Sequence, residues 1–194
     1  MASASDMHVE QNVAYYLSPV GLIKIQASAK GITSLKIVKD KSHAHSLIEE
    51  HRLETLHNCT NPSHNKKLDE ALKWLEEYFC RPEELRKDGC RRLPPLDLPM
   101  GGNFVRKVWL TLADHVPLGR TTTYGELAQL AGRPAASRAA GQAMRTNPVS
   151  IIVPCHRVLP KSGGVGRYSG GEGSVTKQWL LDHERVCGDM KHAK

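Results

Sequence analysis

The sequence has no CxxC pair, no apolar run long enough to span a membrane, no internal repeat and no low-complexity tract. Each absence removes a class of protein. Its five cysteines, Cys59, Cys80, Cys90, Cys155 and Cys187, are odd in number and scattered, which argues against a disulfide framework or a simple zinc module and suits a reducing compartment. Residues 1–12 lack the basic start and apolar centre of a secretory leader, and a membrane span needs about 20 apolar residues. The expectation is an intracellular protein with no membrane partner. At 194 residues the chain suffices for one generous domain or two small ones.

Acidic residues are scarce in one half only. Residues 1–100 hold 14 Lys/Arg against 14 Asp/Glu, whereas residues 101–194 hold 13 against 6, so the whole net charge of +7 lies in the second half. Between Asn103 and Tyr168 nine basic residues (Arg106, Lys107, Arg120, Arg133, Arg138, Arg145, Arg157, Lys161, Arg167) stand against Asp114 and Glu126 alone. Basicity also serves solubility, but so regional an excess is the footprint of a phosphate-binding surface.

Hydrophobic patterning gives each half a character. Ala14–Leu17, Leu22–Ala27 and Ile32–Val38 alternate or cluster apolar residues between turn signals at 18–21 and 29–31, which predicts an antiparallel meander. His64–Phe79 places Leu68, Leu72, Leu75 and Phe79 at helical spacing. Residues 81–102, with prolines at 94, 95 and 99, are expected to be a linker, giving domains of 1–100 and 101–194. In the second half, Asn103 is the expected N-cap of a helix burying Val108, Trp109 and Leu112. A short helix from Tyr124 then stops at Gly132, and another is expected from Pro134 to about Arg145. Together they form a helix-turn-helix candidate. Small residues crowd the second helix, which suits close packing, but Arg138 projects from it and such a slim helix can enter a groove.

The stretch Ile151-Ile152-Val153-Pro154-Cys155-His156-Arg157-Val158-Leu159-Pro160 carries the chemistry. A cysteine after three β-branched residues is commonly a buried, inert thiol. Pro154, however, holds Val153 extended and ends the strand, so Cys155 is expected at its tip, with His156 and Arg157 beside the sulfur to favour thiolate. The glycine-rich loop 162–171 follows no strand–helix phosphate pattern and is expected to form a pocket wall. Glu184, on the last helix, suits either a surface carboxylate or an orienter of His156.

Asn147-Pro148, Ile152–Val158, Tyr168-Ser169-Gly170-Gly171, Tyr124–Ala128 and Arg138–Arg145 together resemble the O6-alkylguanine-DNA alkyltransferases, densely from Phe104 to Glu184 and loosely before residue 100. The resemblance implies an α+β fold, with a small N-terminal α/β domain of RNase H-like topology and a mostly helical C-terminal domain containing the helix-turn-helix. It implies single-turnover repair of duplex DNA carrying O6-alkylguanine, with base flipping, by a monomer that is nuclear in a eukaryote. Cys155 is the implied alkyl acceptor, His156 its base through water, Glu184 the orienter of that histidine, Asn147 a brace and Tyr124 a contact to the lesioned nucleotide. Arg138 is implied to fill the gap left by the flipped base. Gly125, Arg133, Arg106 and Lys161 are the further DNA-binding candidates, and Met144, the Val158 backbone, Tyr168 and Ser169 the substrate pocket.

The product of such a transfer is a thioether, and no group in the sequence is suited to cleave one. Some family members bind a structural zinc, but here residues 1–58 lack cysteine and Cys80 takes a place where a histidine is expected. No metal or other cofactor is therefore expected. Two rival classes stand beside this reading. A Cys-His-Asn hydrolase is disfavoured because adjacent Cys and His side chains point apart. A non-catalytic helix-turn-helix DNA-binding protein is the alternative, and it predicts binding that survives loss of Cys155 with no covalent product.

Overall fold

The structure, a computed structural model, describes residues 12–53, 55, 57, 59, 65–87, 93–99, 102–168 and 174–189, with 86–87 and 186–189 by backbone only. The fold is α+β. The chain divides into two compact units, one of Met1–Arg81 with Arg92–Leu98 and the other of Pro82–Arg91 with Pro99–Lys194.

In the first unit β1 (Val13–Ser18), β2 (Gly21–Ala27) and β3 (Ile32–Ile37) form the antiparallel meander in the order β1-β2-β3. Tyr16 pairs with Ile23 and Ile25 with Leu35, and these apolar positions are buried, as period-two alternation requires. Gly21 closes the first hairpin at φ +110, a conformation side chains rarely adopt.

Helix α1 (Lys41–Glu50) was not expected from the sequence. It starts because Asp40 accepts from the His43 N–H, and it buries only Leu47, against Leu22 and Leu53. Helix α2 (Lys66–Cys80) replaces the expected 64–79 span, with Asn65 as its cap, and buries Leu68, Leu72, Leu75 and Phe79.

The stretch expected to be linker is partly structured. Pro82 and Glu83 open helix α3 (Pro82–Lys87), since proline suits a first helical turn and acidic residues suit its dipole. Downstream, Ile32 N–H donates to Pro95 O at 2.7 Å and Asp97 N–H to Ile32 O at 2.9 Å. The proline-rich segment thus lines the edge of β3.

The second unit is mostly helical. Helix α4 (Asn103–His115) begins one residue earlier than expected, with Gly102 rather than Asn103 at the cap, and buries Val108, Trp109 and Leu112. Helix α5 (Tyr124–Leu130) opens with a capping box in which Thr123 and Glu126 bond reciprocally. Pro134 does not start the next helix. It lies in a turn in which Ala136 N–H donates to Arg133 O at 2.9 Å, and α6 (Ser137–Arg145) follows. The small residues act as packing: Ala140 and Ala143 are fully buried, and Trp109 Nε1 donates to Ala143 O at 2.7 Å, tying α4 to α6. Strands β4 (Thr122–Thr123) and β5 (Val158–Leu159) pair in parallel, and α7 (Ser174–Asp189) ends the described chain.

Candidate active site

The β4–β5 pairing decides where the site forms. It sets Thr122 beside Val158 and Thr123 beside Leu159, so the first residue of α5, Tyr124, is held close to the single 3-10 turn Cys155–Arg157 that precedes β5. That turn is aimed by a strained loop. Ile151, β-branched and fully buried, adopts φ +73, a conformation costing about 1–3 kcal/mol. Asn147 holds it there, accepting from Val149 N–H at 3.0 Å and donating from Nδ2 to Val153 O at 2.8 Å.

Cys155 is not displayed at a strand tip. It is 9% exposed and lines a cavity of about 490 Å³ with Tyr124, Arg138, Met144, Arg145, Arg167 and Tyr168. Burial pushes its thiol pKa up, against the smaller lowering effects of Asn147 and Lys177. The resting group is therefore a neutral thiol. Arg157 does not favour thiolate as expected, because its guanidinium is engaged elsewhere. Nε donates to Glu184 Oε2 and Nη2 to Oε1, both at 2.9 Å, and Nη1 donates to Val116 O at 2.7 Å.

Glu184 is likewise internal, 1% exposed, and not a surface carboxylate. Besides Arg157 it accepts from Gly119 N–H at 3.0 Å and bonds His156 Nε2 at 2.7 Å. Burial would raise its pKa, but His156 and Arg157 overcome that and hold it well below the usual carboxylate range. The ionised carboxylate only accepts, so His156 Nε2 carries the proton and Nδ1 keeps a free lone pair. Nδ1 is buried without a hydrogen-bond partner among the described residues. Burial, chiefly, lowers the His156 pKa, so the ring is neutral and Nδ1 is its acceptor nitrogen.

Of the expected site residues, Tyr124, Arg138, Met144, Cys155 and Tyr168 share the cavity, Asn147 reaches the Cys155 thiol as well as the loop, and His156 and Glu184 are bonded to each other in the interior. Arg106, Arg133 and Lys161 are exposed outside its lining, and Arg133 lies over the Phe104 ring at 4.9 Å. Gly125 is half-buried in the first turn of α5. Val158 is buried in β5, and its carbonyl accepts from Lys177 Nζ at 2.7 Å. Ser169 lies outside the described residues. The sequence reading missed Lys177, 1% exposed, although it stands seven residues before Glu184 on the same helix face. Among the described residues no group of three or more His, Cys, Asp or Glu is placed to hold a metal ion.

Residues 103–186 match the family described as 6-O-methylguanine DNA methyltransferase, DNA binding domain, and residues 13–86 match its ribonuclease-like domain. The chain belongs to this family of O6-alkylguanine-DNA alkyltransferases. It is 36% identical over 169 residues to the methylated-DNA–protein-cysteine methyltransferase of Homo sapiens, covering 86% of this chain and 77% of that one. The Methanosarcina acetivorans protein of the same name is 33% identical over 174 residues, covering 90% and 98%. Among solved structures, Mycobacterium tuberculosis OGT in complex with DNA superposes with a TM-score of 0.64 at 29% identity, covering 89% of this chain and 92% of that one. The alkyltransferase family thus accounts for both units, and the two halves of the match fall on the sheet and on the helical site.

Proposed function

We propose that the protein is a methylated-DNA–protein-cysteine methyltransferase that repairs DNA by direct reversal, moving the alkyl group of O6-alkylguanine in duplex DNA onto Cys155. The observation that carries this reading is the thiol at the floor of a cavity, backed by a histidine whose free nitrogen is fixed by a buried carboxylate. A neutral thiol needs a base to become a nucleophile. His156 Nδ1 takes the proton through a water molecule, and Glu184 stabilises the imidazolium. The sulfur attacks the alkyl carbon, the S–C bond forms as the C–O6 bond breaks, and the leaving guanine anion takes a proton from the Tyr124 hydroxyl. His156 later returns its proton to solvent, from which the Tyr124 phenolate regains one, so that the thiol proton is in effect passed to guanine and both side chains are restored.

The substrate base must leave the duplex to reach so recessed a sulfur. Arg138, exposed at the cavity rim on α6, fills the space it vacates. Met144 and Tyr168 form the wall around the base, and Arg106, Gly125, Arg133 and Lys161 serve the DNA backbone. The reaction requires no cofactor, and a DNA substrate places the protein inside the cell, in the nucleus of a eukaryote. The protein acts as a monomer. No described helix is long and apolar enough to cross a membrane. A non-catalytic DNA-binding role is not favoured, because it gives no task to the buried His156–Glu184 pair.

Intact mass after mixing the protein with duplex DNA containing O6-methylguanine is the direct test. One methyl per chain, located on Cys155 and lost in Cys155→Ala, is expected. Repeated turnover, or methyl on another cysteine, contradicts the reading.

A further inference from the structure

Two buried polar atoms near the sulfur have no hydrogen-bond partner among the described residues, His156 Nδ1 and the Tyr168 hydroxyl. The alkyl-transfer scheme uses the first and leaves the second idle. Buried hydroxyls are seldom left so. Tyr168 is 5% exposed, lines the cavity and stands edge-on to the His156 ring at 6.5 Å. Its hydroxyl lies within electrostatic reach of the Cys155 thiol and of Ser150, but forms a fully aligned bond to neither.

We propose that Tyr168 is a catalytic residue, its hydroxyl donating a hydrogen bond to the Cys155 sulfur as negative charge builds there, with Ser150 donating to the phenol oxygen from behind. The assignment rests on Cys155 being the alkyl acceptor. Thiol and thioether sulfurs are weak acceptors, whereas a bond to a charged sulfur is strong. The bond is therefore poorly made before the proton leaves and weakens again once the S–C bond exists. It strengthens only while sulfur is charged, which is the condition for lowering the barrier. No proton passes between the phenol and the sulfur, since the proton of the thiol goes to His156.

Tyr168 stays a donor throughout, because burial first and the nearby cysteine second push its pKa well above the ordinary value. Other groups also face the sulfur, each with its own part. Tyr124, from α5, serves the leaving guanine. Lys177, from α7, acts on the thiol from a distance while bonded to Val158 O, and Asn147, besides holding the strained loop, reaches the thiol and lowers its pKa, as do the Cys155 and His156 N–H groups. Glu184 and Arg157 neutralise each other, and Arg138, Arg145 and Arg167 line the cavity from its exposed side.

The test measures Cys155 alkylation by iodoacetamide against pH, mapped by mass spectrometry, beside benzyl transfer from free O6-benzylguanine. Tyr168→Phe keeps the ring and removes the donor. Its half-point is expected to rise by about one pH unit, a tenfold slower reaction below the plateau, with rates converging on wild type above both half-points. Ser150→Ala is expected to shift the half-point the same way by less, which keeps the test decisive if Tyr168→Phe folds poorly. Unshifted half-points, or a loss equal at every pH, overturn the assignment and mark Tyr168 as packing alone. Iodoacetamide needs no guanine, so that result leaves the alkyl-transfer reading standing. Failure of the wild-type protein to take a benzyl group strikes the reading itself and overturns this assignment with it.

Discussion

Arg157 and Glu184 lie side by side in the interior, with Nε 2.9 Å from Oε2 and Nη2 2.9 Å from Oε1. Residues 27 apart in sequence thus share one charge-neutral unit, which also anchors His156 and, through Val116 and Gly119, the end of α4.

Breaking one side of that unit leaves a buried charge behind. Arg157→Ala is expected to lower unfolding free energy by about 3–5 kcal/mol, measured by urea denaturation. Arg157→Lys should recover little, because an ammonium cannot match the two carboxylate oxygens at once. A lysine variant as stable as wild type would show that the fork geometry is dispensable.

Stability should fall with acid, with a sign fixed by His156. Burial keeps the folded ring neutral below its usual range, while the unfolded ring takes a proton near pH 6.5, at about the free histidine value. Below that pH the unfolded state binds more protons, so stability is lost as pH falls. Glu184, held low in the fold, adds a second loss in the same direction once pH drops below about 4.3, the ordinary Glu value. Melting temperatures of wild type and His156→Asn between pH 7 and pH 5 check the first part. The variant should show the shallower decline, and parallel curves would contradict it.

Arg138 separates base flipping from pocket chemistry. Arg138→Ala should react with free O6-benzylguanine nearly as fast as wild type, but at least about tenfold slower with duplex DNA, where about 1.4 kcal/mol corresponds to each tenfold. Equal slowing on both substrates would withdraw the intercalating role.

Salt dependence of duplex binding tests the basic surface. Arg157 and Lys177 are buried, so they contribute nothing to phosphate contact despite their place in the basic half. Arg106→Ala should lower the logarithmic salt slope by about 0.9 if Arg106 meets a phosphate. An unchanged slope would remove Arg106 from the interface.

What the sequence made legible follows the range of the signals. The meander and α2 were visible because period-two and period-3.6 burial are local patterns, as with Tyr16 and Leu68. Helix α1 was hidden because it buries only Leu47 and so shows no apolar stripe. Helix α3 was hidden because Pro82 looks like a breaker although it is a good first residue. At the site, Cys155 and His156 stood out by chemistry and the family motif. The direction of Arg157 did not, since its partner comes from a helix remote in sequence, and the thiol's burial depends on the non-local β4–β5 pairing.

A protein that is consumed by its own reaction has to survive until it meets a lesion. The neutral, recessed thiol of Cys155 bears on that waiting time. Peroxide and stray electrophiles attack thiolate, and attack most where it is accessible, so the features that demand a base for repair also withhold the sulfur from casual oxidants. Persistence of the unreacted thiol and, on the proposed chemistry, its need for a base are then two results of one burial.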